Sequence, residues 1–266
     1  MLNNFKRYIR ENIFPFTSWL PRYYIFFKWA VIPKAAVVLD LACGEGYVSV
    51  KLAARCRKVV GLDISSNDLL LAEDKKSRSK FKDRIDFTLG DILKMPFAEG
   101  TFDLVVCMDA LPQIERDREA LAEIARVLKP GGRLVITTPW RYTCSSILFK
   151  AQTRIKKLIP RFMYRVYFKG NIKWYEADNE TISKCYNIYH QYDVQGLEEK
   201  AKPFLQLAGY RYFLQKYGAL ATDITYGVKG LWTLRFILFW IAVRLDWYLS
   251  GNRQGYSFIA EFTKPV

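Results

Sequence analysis

Short apolar runs alternate with stretches of helical spacing through the first half of the chain. Runs of this length bounded by turn residues are typical of buried strands, and five occur, at Ala36–Leu41, Lys58–Asp63, Ile85–Leu89, Phe102–Cys107 and Arg133–Thr137. Helices are predicted between them at Tyr47–Arg55, from a Ser65 or Ser66 cap to Lys76, and at Arg118–Leu128 before Lys-Pro-Gly-Gly. Because strands that alternate with helices form a parallel sheet covered on both faces, the pattern predicts an α/β fold.

The flanking segments follow a different pattern. Residues 2–14 have helical spacing with basic residues between the apolar ones, and Pro15 stops that helix. Aromatic residues crowd Trp19–Trp29, which Pro21 interrupts. After Pro139 the pattern predicts a basic, aromatic insertion, followed by a helix at Val194–Leu207, a strand at Tyr210–Lys216, an apolar helix at Gly230–Leu249 and a strand at Tyr256–Phe262. We therefore expect one domain over 1–266, with a core at 35–139, an N-terminal helical cap at 1–33 and substrate-side insertions at 140–190 and 217–255.

The positive charge lies outside the predicted core. The chain has a net charge of +15, yet residues 34–139 hold 17 Lys and Arg against 16 Asp and Glu. Residues 140–170 hold eight basic residues and no acidic one. Such a field suits an anionic membrane, a phosphorylated substrate or nucleic acid, and a merely solvated face is the alternative.

The five cysteines are scattered and contain no C-x-x-C pair. This spacing argues against a disulfide framework and against a zinc site, and no other metal-ligand cluster is visible in the sequence. The polar, basic start of the chain lacks the apolar region of a signal peptide. We therefore expect a cytoplasmic protein, placed at the inner face of the membrane if its substrate is a lipid.

The segment Val37–Tyr47 carries the clearest chemical signal. A strand ending in Asp40 and Leu41 is followed by Ala-Cys-Gly-Glu-Gly and then by a helix. Gly44 and Gly46 allow a ligand to approach the backbone, and helix N-terminal amides would face that ligand. Asp63 ends the second strand, where a carboxylate can accept both hydroxyls of a ribose. NAD-binding domains share this layout, but the turn lacks their G-x-G-x-x-G spacing.

The turn resembles motif I of the class I S-adenosylmethionine methyltransferases. The resemblance continues in order through VVGLD, LGDILKMPFAEGTFDLVVCMDAL and EIARVLKPGGRLVITTP, covering about residues 35–139. It implies a Rossmann-like sheet of seven strands, mostly parallel with the last strand antiparallel, and helices on both faces. It also implies N-terminal helices, helical insertions after strands 5 and 6, and S-adenosylmethionine as the cofactor.

The family's roles are carried over residue by residue. Asp40, Ala42, Gly44 and Gly46 would surround the methionine part of the cofactor. Asp63 would bind the ribose and Asp91 the adenine amino group, while Ile64 and Ile92 would flank the adenine ring and Met108 would line the sulfonium region. Plain core packing is the alternative for the three apolar residues.

The residue that removes a proton, if one does, stays open in the sequence. Asp109 follows the fourth strand and is a candidate base, although a loop or helix-cap carboxylate is the more usual role at such a position. His190, the only histidine, precedes a segment similar to one in quinone and lipid methyltransferases, which implies a place near the substrate entrance. Histidine suits proton transfer near neutral pH, and a purely structural role is the alternative.

Several features favour a hydrophobic or membrane-associated small acceptor, such as a quinone precursor or a lipid. Gly230–Leu249 is apolar on nearly all sides and is read as a core or homodimer helix, a helix dipping into a membrane surface, or a lid. The rival hypothesis is an RNA methyltransferase or RNA-binding protein that uses the basic 140–170 segment and its aromatic residues. Nucleic acid is the weaker alternative because no RNA-binding motif is present.

Overall fold

The computed structural model describes residues 20–139, 189–213, 241, 245 and 257–266. The predicted helix at 2–14, the basic insertion at 140–188 and most of the predicted helix at 230–249 lie outside these residues. Within that last helix, Ile241 and Leu245 are helical and exposed.

Seven strands form one sheet in the order β3-β2-β1-β4-β5-β7-β6. Their bounds are β1 Val37–Leu41, β2 Lys58–Asp63, β3 Ile85–Leu89, β4 Phe102–Met108, β5 Leu128–Pro139, β6 Gln206–Phe213 and β7 Ser257–Thr263. The helices are α1 Leu20–Trp29, α2 Tyr47–Ala53, α3 Ser66–Ser77, α4 Asp117–Val127 and α5 Val194–Ala201, with 3-10 turns at Lys82–Arg84 and Leu111–Gln113. Strands β1 to β5 are parallel and the last strands are antiparallel, which confirms the predicted fold class.

Strands β1 and β4 form the middle of the sheet. Their side chains are almost wholly apolar and buried, as expected for parallel strands covered on both faces. The chain runs outward from β1 to β2 and β3, and returns to place β4 on the other side of β1. The strand order therefore reverses between β1 and β4, and in open α/β sheets ligands bind outside the carboxyl ends of the strands at such a point.

Some predicted elements differ from the structure at their ends or at a proline. The helix predicted over Val194–Leu207 ends at Ala201, and β6 begins at Gln206, earlier than predicted. Pro203 explains the stop, because proline cannot continue a helix and restricts the residue before it. Pro21 does not break the aromatic segment, since it lies in the first turn of α1, where proline is tolerated.

Strand β5 is longer than predicted because it includes the Lys-Pro-Gly-Gly turn. Phe102 pairs with Leu128 and Leu104 with Arg133, so the register shifts between these pairs. Gly131 has φ of 71° inside this irregularity, a conformation that glycine adopts readily. The backbone of Gly131 and Gly132 exchanges hydrogen bonds with Lys264 at the end of β7, at 3.0 and 2.8 Å.

The chain divides into two compact units. One contains Met1–Lys28, Arg141–Tyr186 and Tyr212–Ser257, and the other contains Trp29–Trp140, Asn187–Arg211 and Phe258–Val266. All the predicted site residues belong to the second unit. The interpretation of 1–266 as one domain with a cap and insertions stays a prediction.

Candidate active site at the carboxyl edge of the sheet

The loop after β1 turns sharply into α2. Ala42, Gly44 and Gly46 all have positive φ, of 54°, 50° and 71°. A Cβ on Gly46 would lie 2.6 Å from Phe87 Cζ and 2.9 Å from the Ala72 Cβ, so only glycine fits there. A Cβ on Gly44 would have no atom within 4 Å, so the backbone at Gly44 borders open space. The loop is thus packed on one side and accessible on the other.

Asp63 joins this loop to the neighbouring helix. One carboxylate oxygen, Oδ2, accepts the Gly44 N–H at 2.7 Å, and Oδ1 accepts the Ser65 N–H at 2.9 Å. Ser65 in turn caps α3 by accepting the Asp68 N–H. Each carboxylate oxygen has a second lone pair, so the half-buried Asp63 can still accept hydroxyl groups from a ligand.

Apolar side chains are exposed beside this carboxylate. Ile64 is 75% exposed and Leu89, at the end of β3, is 58% exposed. Asp91 is exposed, and its Oδ1 accepts the Leu93 N–H at 2.9 Å, while Ile92 is half-buried. Exposed apolar surface between two carboxylates fits a flat heteroaromatic ring carried on a hydroxylated sugar.

Asp40 lies inside the sheet, at the end of β1. The Ser49 hydroxyl donates to its Oδ2 at 2.5 Å, and only 2% of the residue is exposed. Burial raises the pKa of Asp40 to about 7, although the hydrogen bonds from Ser49 oppose that rise. Asp40 therefore ties β1 to the first turns of α2, and it carries a proton more readily than a surface aspartate does.

Met108 and Asp109 end β4 beside the β1 loop. Met108 is half-buried, whereas Asp109 is buried and has φ of 58°. Thr137 fixes Asp109 twice, since its hydroxyl donates to Oδ1 at 3.1 Å and its carbonyl accepts the Asp109 N–H at 2.9 Å. Thr137 was not predicted as a residue of the site. Its signal in the sequence is a hydroxyl side chain at the end of an otherwise apolar strand.

His190 lies against the loop that follows β4. The N–H groups of Tyr189 and His190 donate to the Pro112 carbonyl at 2.9 and 3.2 Å. The imidazole Nε2 of His190 is 2.8 Å from the Glu115 carbonyl, and the side chain is partly exposed. Helix α5, which follows His190 in the chain, packs on α4. Pro112 follows Asp109 by three residues, so these hydrogen bonds hold His190 against the loop that begins at Asp109.

The donor set fits S-adenosylmethionine. The residues predicted to contact its methionine part, ribose and adenine all lie along the carboxyl ends of β1, β2, β3 and β4, and the Gly44 backbone is approachable there. Within the described ranges, no group of three or more His, Cys, Asp or Glu residues is placed to hold a metal ion. The individual contacts of Asp40, Ala42, Gly44, Gly46, Asp63, Ile64, Asp91, Ile92 and Met108 stay predictions.

The strand order is that of the Rossmann-like fold implied by the resemblance to class I methyltransferases. Residues 39–136 match the family model described as a methyltransferase domain, which confirms the predicted resemblance over this segment and supports S-adenosylmethionine as the cofactor. A demethylmenaquinone methyltransferase from Lactiplantibacillus plantarum is 42% identical over 103 residues, covering 38% of this chain and 44% of that protein. A sterol 4-C-methyltransferase from Caenorhabditis elegans is 34% identical over 98 residues, covering 37% of this chain and 29% of that protein. The match thus spans less than half the length of these relatives.

Solved structures show the same fold over nearly the whole chain. A SAM-dependent methyltransferase from Methanosarcina mazei gives a TM-score of 0.54 at 16% identity, covering 91% of this chain and 97% of that one. The SpnF cyclase gives a TM-score of 0.56 at 18% identity, covering 92% of this chain and 82% of that one. Because one of these neighbours is titled a cyclase, the fold alone does not determine which reaction a chain performs.

Proposed function

We propose that this protein transfers a methyl group from S-adenosylmethionine to a hydrophobic or membrane-associated small molecule. The observation that carries the proposal is the position of Asp63, which holds the Gly44 amide at the switch point of the sheet beside the exposed Ile64. The methyltransferase match over 39–136 supports the same reaction. The bound cofactor supplies a methyl group on a sulfonium sulfur, which keeps the electron pair of the broken bond and leaves as a neutral thioether.

The protein's contribution is to bind and align the two reactants. Because the cofactor is already activated, alignment supplies most of the catalysis and a base is needed only to take a proton from the acceptor. We assign the cofactor to Ala42, Gly44, Gly46, Asp63, Ile64, Asp91, Ile92 and Met108 in the roles given by the family. For Asp40 we favour an indirect role through Ser49, because its carboxylate is buried against that hydroxyl.

Between the two candidate bases, we propose His190. Asp109 is buried in a left-handed backbone conformation and is bonded to Thr137, which is typical of a residue that shapes the loop. His190 is partly exposed, and one of its ring nitrogens is the available proton acceptor. Replacing His190 by Ala should lower kcat by about 10²-fold or more, the usual contribution of a general base.

For the acceptor we propose a quinone precursor or a lipid. Relatives bear the names demethylmenaquinone methyltransferase and sterol 4-C-methyltransferase. The exposed helical residues Ile241 and Leu245 and the basic segment 140–170 are compatible with an apolar acceptor at the inner, anionic face of a membrane. Among the described residues, no helix is long and apolar enough to span a bilayer.

Methyl-labelled cofactor tests the proposal. The protein is incubated with this cofactor in two parallel reactions. One contains extracted membrane lipids supplemented with a demethylated quinol, and the other contains total RNA. We expect label in the organic phase and none in RNA. Label in RNA alone would establish the rival RNA methyltransferase, and cofactor binding without label in either fraction would refute methyl transfer to these acceptors.

A further inference from the structure

The environment of the His190 imidazole specifies which of its nitrogens can accept a proton. Nε2 lies 2.8 Å from the backbone carbonyl of Glu115. A carbonyl oxygen can only accept a hydrogen bond, so Nε2 must carry the hydrogen. In the neutral ring the lone pair is then on Nδ1.

A buried carboxylate lies beside the same nitrogen. Asp117 Oδ2 is 3.6 Å from His190 Nε2, and only 5% of Asp117 is exposed. The Tyr192 hydroxyl donates to this oxygen at 2.6 Å, and the Lys200 ammonium group pairs with it. Burial alone would raise the pKa of Asp117, but the hydrogen bonds from Lys200 and Tyr192 outweigh burial and lower it. The carboxylate is therefore negatively charged next to the imidazole.

The negative charge has two effects on the ring. It attracts the positive end of the Nε2–H bond, which favours the Nε2–H tautomer over the Nδ1–H tautomer. It also stabilises the imidazolium that forms once Nδ1 has taken a proton.

We propose that Asp117 is a positioning residue, which together with the Glu115 carbonyl holds His190 so that Nδ1 accepts the proton of the methyl acceptor. The covalent bond between the acceptor atom and its hydrogen breaks, the proton moves to Nδ1, and the electron pair stays on the acceptor atom, where it forms the new bond to the methyl carbon. Asp117 does not touch the substrate; it acts only through His190. The kinetic part of this inference rests on the proposed function, whereas the tautomer does not.

Nitrogen NMR of the free protein tests the tautomer directly. Because His190 is the only histidine, protein labelled with ¹⁵N-histidine gives a single pair of ring resonances. At a pH where the ring is neutral, we expect Nε2 to be the protonated nitrogen and Nδ1 the bare one. An Nδ1–H tautomer in the wild-type protein would overturn the proposal, whether or not methyl transfer is ever observed.

Two matched variants separate positioning from a structural role. Asp117→Asn keeps the side-chain shape but removes the charge. The control, Asp193→Ala, removes the cap of α5, where Asp193 Oδ1 accepts the Gly196 N–H at 2.7 Å, and leaves the Asp117 charge beside His190. We expect Asp117→Asn to populate the Nδ1–H tautomer and to lower kcat on the order of tenfold, with the KM for S-adenosylmethionine unchanged. Asp193→Ala should keep the wild-type tautomer and kcat.

The contrary outcome is equally specific. If Asp117 only fastens α5 to α4, both variants loosen α5, and they should lose activity alike with no change of tautomer. That result would refute the positioning role. If Asp117→Asn does not fold, the wild-type spectrum still decides whether Nδ1 is the accepting atom.

Discussion

At the scale of single residues, unusual backbone conformations concentrate at one edge of the sheet. Among the described residues, Ala42 and Asp109 are the non-glycine residues with positive φ, and they follow the adjacent strands β1 and β4. Such conformations cost on the order of 1 kcal/mol or more each and persist where the surroundings enforce them, often at functional sites. Their position at the switch point agrees with a binding role for this edge.

Gly46 should be far less replaceable than Gly44. An Ala at Gly46 combines a left-handed conformation with contacts of 2.6 and 2.9 Å to Phe87 and Ala72, for an expected loss of about 2–4 kcal/mol in the free energy of unfolding. Gly44→Ala has the same conformational penalty but free space, so about 1 kcal/mol is expected. Urea unfolding measures both, and equal losses would contradict the packing account.

Asp40 should make stability depend on pH in an unusual direction. Its pKa rises from 3.8 to about 7 on folding, so the folded protein binds the proton more tightly than the unfolded chain. The contribution of Asp40 to the free energy of unfolding is therefore fully present below about pH 4, and it is lost as pH rises toward 7. The amide of Asp40→Asn cannot ionise, so the free energy of unfolding of this variant should rise relative to that of the wild type as pH increases from 4 to 7. A stability difference that does not change between pH 4 and 7 would contradict a buried, protonated Asp40.

At the scale of elements, the cap of α3 can be assigned to one of two serines. Ser65 Oγ accepts the Asp68 N–H at 3.2 Å, whereas Ser66 is already inside the helix and is exposed. Ser65→Ala should therefore cost about 1 kcal/mol in the free energy of unfolding. The control, Ser66→Ala, should change it by less than about 0.5 kcal/mol. Thermal or urea unfolding measures both losses, and a larger loss in Ser66→Ala than in Ser65→Ala would contradict this assignment.

Elements with strong local patterns could be predicted, and elements defined by distant contacts could not. Strands β2 and β3 have the predicted bounds, β2 because it is a mostly apolar run and β3 because its apolar residues Ile85, Phe87 and Leu89 alternate with polar ones, as at the edge of a sheet. The extension of β5 to Leu128 could not be predicted, because it depends on pairing with Phe102 and with the Lys264 backbone. The helix after Asp193 was predicted too long because its apolar spacing outweighed Pro203.

The site was predictable only where motif residues follow a strand. Asp63 and Gly44 were identified from their places at strand ends, and the structure joins them by a 2.7 Å hydrogen bond. Asp117 was missed because its neighbours, Tyr192 and Lys200, are more than seventy residues away along the chain. No local pattern marks a carboxylate that becomes buried through such contacts.

At the scale of the whole molecule, the net positive charge lies, along the sequence, outside the nearly neutral segment 34–139. Residues 140–170 contribute eight basic residues without an acidic one. Each basic residue near an anionic lipid surface adds on the order of 1 kcal/mol to binding at low salt. The charge distribution thus favours an acceptor that is presented at a membrane.

Flotation with liposomes tests that membrane contact. We expect the protein to float with anionic vesicles and to remain at the bottom with zwitterionic vesicles, with the bound fraction falling as salt rises. Replacing Lys156 and Lys157 by Gln should reduce the bound fraction without affecting cofactor binding. Equal recovery with both kinds of vesicle, or no flotation with either, would contradict the proposed contact.

The most direct test of the central claim is calorimetric titration of S-adenosylmethionine into the purified protein. We predict saturable binding to the wild type, no binding of NAD, and a large loss of affinity in Asp63→Ala, because that change removes the carboxylate that holds the Gly44 amide and is assigned to the ribose. Unfolding curves for both proteins would confirm that the variant is folded. Equal affinity of wild type and variant would contradict the assignment of Asp63, and absence of binding to the folded wild type would contradict the account as a whole.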